Sequence, residues 1–106
     1  MPILGHGIEK KAFRAWLEER YYQSVGKPLD ACACPVAHWL NDTQGGEWAV
    51  DVGICWQRDE DQWTARHEER WIGSFVLLLD GYCLNGLVAD EVTGGEVLGI
   101  LDAIGV

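Results

Sequence analysis

The residues of this chain that could do chemistry lie closest together in Cys32-Ala33-Cys34-Pro35-Val36-Ala37-His38. Two thiols and an imidazole are ligands that zinc prefers, and a closed structural site needs a fourth. Cys55, Cys83, His6 or His67 would have to supply it. The spacing is C-x-C, whereas zinc knuckles commonly use C-x2-C. The same residues also admit a nucleophilic reading. Cys34 stands where a helix would start, and a helix N-terminus lowers a thiol pKa. His38 follows four residues later, about one turn on, where it could act as the base. No orienting acid or oxyanion site accompanies the pair, and Pro35 removes one N–H that such a site could use. The small metal or thiol protein built on Cys32, Cys34 and His38 is therefore kept as an alternative. No catalytic, metal or cofactor-binding residue is assigned, and no cofactor is expected.

Two other segments carry partial motifs. His67-Glu68-Glu69-Arg70-Trp71 has Trp71 where a zinc-protease helix needs its second histidine. Thr93-Gly94-Gly95 precedes an apolar run, and backbone N–H groups at a helix start could hold an anion. No Gly-Lys-Ser/Thr follows, so it is not a nucleotide phosphate loop.

The elements that must position these residues follow from apolar spacing. Gly5 and Gly7 open the chain, and from Ile8 the residues Ile8, Ala12, Phe13, Trp16 and Leu17 fall at helical spacing. Gly26 and Pro28 end this element or its trailing turn. Cys34-Pro35 starts a helix of about two turns, because proline suits the first helical position. Val36, Trp39 and Leu40 are its core side, and Asn41 to Gly46 is a turn by composition. Residues 47–56 alternate with period two, which predicts a strand buried on one face. Trp48, Val50, Val52, Ile54 and Trp56 form that face; Ala49, Asp51, Gly53 and Cys55 form the other. Its backbone needs a mate, either residues 82–89 or a second chain. After a polar loop at 58–62, a helix begins between Thr64 and Glu68. It carries Trp71, Phe75, Leu78, Leu79 and Tyr82 inward, with Ile72 and Val76 beside them and Leu77 pointing away. Thr93 and Glu96 form a capping-box pattern before a last helix with Val97, Leu98, Leu101 and Ile104 on its core face and Gly105 at its end. The fold class is α+β: three to four helices packed on a small sheet built around strand 47–56, as one domain over 1–106. The expected core contains Trp16, Trp39, Trp71, Phe75, Leu79, Leu98 and Leu101.

Composition bounds the function. The chain has 106 residues, enough for one core without disulfides or metal. Six tryptophans are more than its size requires, and core filling accounts for most of them. The net charge is −9, with 17 acidic and 8 basic residues, and no basic side chain follows Arg70. Such a surface repels nucleic-acid backbones and anionic lipid. Phe75 to Leu79 is too short to span a bilayer, and the N-terminus lacks the features of a signal peptide. A cytoplasmic location and reduced thiols are the expectation.

The order Phe13-x-x-Trp16-Leu17, Cys34-Pro35-Val36-Ala37-x-Trp39-Leu40, a valine-rich strand, Trp71-Ile72-x-x-Phe75-Val76-x-x-x-Asp80 and Val92-Thr93-x-x-Glu96-Val97-Leu98-x-Ile100-Leu101 covers most of the chain. It resembles uncharacterised short proteins of cyanobacterial and phage-type genomes. The resemblance implies an accessory gene on mobile DNA and transfers no functional residue. The pair Cys32 and Cys34 departs from the single cysteine that precedes the proline in that group.

The leading reading is a non-catalytic protein-interaction module, with a protein partner or a second copy of itself. One alternative is an acidic inhibitor of a nucleic-acid-binding enzyme, of the anti-restriction or anti-CRISPR type. Strand 47–56 and Leu77 are the places where two chains would meet in a homodimer.

Overall fold

A computed structural model describes residues 9–51 and 53–104. Ile8, Val52 and Gly105, and the Gly5 to Gly7 segment with His6, lie outside the described residues. The fold is α+β, with four helices and five short strands in two antiparallel sheets among the described residues.

Helix α1 (Lys10–Glu19) buries Phe13 and Leu17, four residues apart, and leaves Trp16 half-buried beside them. A short strand β1 (Ser24–Gly26) follows. Helix α2 (Pro35–Gln44) begins at the proline, with Cys34 as its extended N-cap residue. It runs nearly three turns, so Asn41 to Gln44 continue the helix and only Gly45 and Gly46 turn. Its Val36, Trp39 and Leu40 are buried.

The segment 47–56 is not one strand. Strands β2 (Trp48–Asp51) and β3 (Ile54–Asp59) form a hairpin in which Asp51 pairs with Ile54 and Val50 with Cys55. A two-residue connection reverses the parity of the alternation, because directly paired residues share a face. Trp48 and Val50 therefore point inward together with Cys55, which is fully buried. Ile54 and Trp56 move to the outer face with Ala49 and Asp51. Gly53 makes the reversal possible. Its φ is 85°, and a Cβ there would lie 2.8 Å from the carbonyl oxygen of Glu69.

Residues 64–68, where the sequence reading starts a helix, belong instead to strand β4 (Gln62–Glu68), paired with β3. The mate of the β2–β3 ribbon is thus its own continuation, not residues 82–89. A bulge between the Cys55–His67 and Trp56–Ala65 pairs gives β4 one extra residue, Arg66. It hides the alternation of this strand from a period-two reading.

Helix α3 (Arg70–Leu84) starts after Glu69 and includes Gly81 to Leu84. Strand β5 (Val92–Thr93) pairs with β1 and leads into α4 (Gly94–Ala103). The capping box is formed: Glu96 N–H donates to Thr93 Oγ1 at 3.3 Å, and Thr93 N–H donates to Glu96 Oε1 at 3.0 Å. Gly94 sits so tightly under α1 that a Cβ would fall 2.4 Å from the Arg20 carbonyl oxygen.

The core is an aromatic cluster centred on Phe13. Its ring lies 5.1 Å from Trp39, 5.7 Å from Trp71 and 5.4 Å, edge-on, from Phe75. Leu79, Ile100 and Leu101 complete it, while Trp16 and Leu98 are only partly buried at its margin.

Candidate interaction surface

Three residues that are close in sequence go to three different places. Cys34 is buried and lines a small cavity of about 150 Å³ with Val50, Val76 and Asp80. Cys32 is exposed and faces the outer side of the β2–β3–β4 sheet. His38 is exposed in a crevice with Trp16, Arg20 and Asp42. Cys34 is the extended N-cap residue (φ −69°, ψ 162°), and its carbonyl accepts the His38 N–H at 3.0 Å, but its thiol is buried while the His38 side chain is exposed. Among the described residues, no three His, Cys, Asp or Glu side chains converge to hold a metal ion. His6, one possible fourth ligand, lies outside the described residues.

The thiols follow their burial. Desolvation pushes Cys34 up to about 11, although the backbone N–H groups of Ala37 and Val36 act in the lowering direction. The helix start does pull as expected, and burial outweighs it. Burial likewise pushes Cys55 up to about 12, with Cys34 and Glu69 adding to it. Neither is poised as a thiolate nucleophile at neutral pH.

The Thr93-Gly94-Gly95 segment has no backbone donors free for an anion. Gly94 N–H donates to the carbonyls of Arg20 and Gln23, and Gly95 N–H to that of Tyr21. These bonds fix α4 to the end of α1. Buried polar atoms lacking a partner among the described residues are His67 Nδ1 and Trp71 Nε1. Both are held inside the packing rather than presented to a ligand site.

What the fold presents outward is the far face of the three-stranded sheet. Trp56 pairs with Ala49 on one side and Ala65 on the other, and Trp63 pairs with Arg58. Trp63 is 42% exposed. With Ala31, Cys32, Ala49 and Asp51, the two indoles line an open cleft of about 460 Å³. Asp51 is its one charged group. Arg58, beside Trp63, is tied to Glu47 by an ion pair at 3.2 Å and to the Glu60 carbonyl. Asp59, Glu60 and Asp61 crowd the hairpin tip next to Trp63. The indole cleft was hidden from the sequence because the period-two reading placed Trp56 in the core with Trp48.

A second apolar surface lies on α3. Leu77 and Leu84, seven residues apart and so on one side of the helix, are 68% and 74% exposed. Leu87 is exposed just beyond the helix end. Gly81 between them has open space where a Cβ would stand.

Among the described residues no helix is long and apolar enough to cross a membrane. No family model, curated protein or solved structure matches the chain.

Proposed function

We propose that this chain is a non-catalytic protein-interaction module whose binding surface is the outer face of the β2–β3–β4 sheet. The observation that carries the reading is that half-buried Trp56 and exposed Trp63 line one open cleft together. Exposed tryptophan is uncommon on a free surface and enriched in the buried centres of interfaces. β4 is also an edge strand, so its outer backbone is open to a partner strand. The partner is basic, since Asp51 is the one charged group lining the cleft and the acidic Asp59, Glu60 and Asp61 stand at the neighbouring hairpin tip. An accessory role on mobile DNA rests on the resemblance of the sequence. The acidic-inhibitor reading draws on the same carboxylates and differs in its partner, a basic nucleic-acid channel. We assign self-association to the Leu77–Leu84 side of α3.

A photo-crosslinking residue at position 61, exposed at the hairpin tip beside the cleft, tests the reading in the native cell. It should yield one discrete protein adduct, lost when Trp56 is changed to Glu, and position 11 on exposed α1 should yield none. No adduct at 61, or the same scatter of adducts at both positions, would overturn it. An adduct to a nuclease, released by competing nucleic acid, would select the inhibitor form.

A further inference from the structure

The geometry points to the Trp56–Trp63 cleft as a receptor for an arginine side chain of the partner protein. The inference rests on the interaction reading and specifies its ligand.

The chain already contains the chemistry once, complete. In the crevice between α1 and α2, the Arg20 guanidinium lies over the Trp16 ring, 4.5 Å from its centroid. Asp42 Oδ2 accepts from Arg20 at 3.0 Å and from the Trp16 indole N–H at 2.8 Å. Indole face, guanidinium and carboxylate form one closed set. The cleft on the sheet has two indoles and the carboxylate of Asp51, and no cation among its lining residues. Arg58 does not complete it, being held by Glu47 and Glu60.

The remaining walls fit the rest of the side chain. Ala31 and Ala49 are small and apolar, so an aliphatic stem can lie along them while the planar head reaches Asp51. Guanidinium suits this better than ammonium because it stacks on aromatic faces and is more weakly hydrated. An apolar ligand alone would leave Asp51 facing it unpaired, and an anionic one would be repelled by that carboxylate.

The test uses the intact chain, labelled with nitrogen-15, and three blocked pentapeptides: Gly-Gly-Arg-Gly-Gly and its citrulline and norleucine versions. The arginine peptide should move the indole N–H resonances of Trp56 and Trp63, and leave that of Trp39 in place. It should also slow alkylation of Cys32, which lines the same cleft. Citrulline has nearly the same shape without the charge and should bind about two- to fivefold more weakly, the effect of an exposed cation–π contact. Asp51→Asn, at an exposed position, should weaken the arginine peptide and narrow its advantage over citrulline, leaving the cation–π part in place. Equal binding of citrulline or norleucine to the unaltered chain would overturn the inference while leaving the interaction reading standing. So would shifts confined to Trp16, or no binding by any peptide. The interaction reading fails separately, if position 61 gives no adduct in the cell.

Discussion

The His67 imidazole is stacked on the Trp48 indole, with centroids 5.6 Å apart and planes 16° apart. Nε2 lies 3.2 Å from Gln44 Oε1, and Nδ1 has no partner among the described residues. Burial holds the imidazole below its ordinary value of 6.5, and Arg66 adds to this. The unfolded chain takes up a proton near pH 6.5, and the folded one only at lower pH. Stability is therefore full above about 6.5 and declines as pH falls from there through the folded pKa. The urea midpoint should drop between pH 7 and pH 5.5, and His67→Gln should flatten that drop. An imidazole titrating at or above 6.5 by NMR would contradict the account.

The four cysteines should react in order of exposure. Cys32 is exposed, Cys83 half-buried, and Cys34 and Cys55 buried. With the Cys34 thiol near 11, about one molecule in a thousand carries its thiolate at pH 8. Limited alkylation read by mass spectrometry should modify Cys32 first and Cys34 and Cys55 last, with all four modified in denaturant. Both buried thiols are raised above the unfolded value of 9.0. Their contribution to stability is thus intact below pH 9 and lost as pH rises through about 11 and 12. The urea midpoint should fall on going from pH 8.5 to pH 10.5. Early labelling of Cys34 in the folded protein would show that burial does not control it.

Gly53 and Gly45 make a paired test of the hairpin. Both have positive φ, 85° and 74°, but a Cβ at Gly45 meets nothing within 4 Å. Gly45→Ala should cost about 1 kcal/mol, the backbone penalty alone. Gly53→Ala should cost roughly 2–4 kcal/mol, because the methyl group also presses on the Glu69 carbonyl. Equal losses in urea denaturation would mean that the close approach to Glu69 is unimportant.

The α3 stripe should drive self-association. Sedimentation at tens of micromolar should find a dimer, the commonest closed assembly for one apolar patch. Leu77→Glu should dissociate it and leave the thermal midpoint of the monomer within the small range usual for exposed sites. A monomeric unaltered chain at that concentration would remove the stripe as a self-contact.

All four helices are legible in the chain, and for three of them the determinants are local. Phe13 and Leu17 are one turn apart, Pro35 stands at the first position of α2, and Thr93 and Glu96 close a box within four residues. Each works whatever the rest of the molecule does. The same holds for the exposure of Leu77, which follows from its angle to the Trp71–Phe75 side of α3.

Residues 47–68 had no such local answer. Ten alternating residues are compatible with one long strand or with two short ones around a two-residue turn, and the choice reverses every side chain after the turn. Packing decided it. Gly53 is pinned by the Glu69 N–H, which donates to its carbonyl at 2.9 Å. That contact spans sixteen positions in the chain and leaves no mark in the periodicity. It turned Cys55 inward and Trp56 outward, and so made the cleft. The sequence by itself determined an acidic α+β domain with its helix starts and most of its core. Where Cys32, Cys34 and His38 point, and which indoles meet solvent, was decided only when long-range contacts selected one strand register.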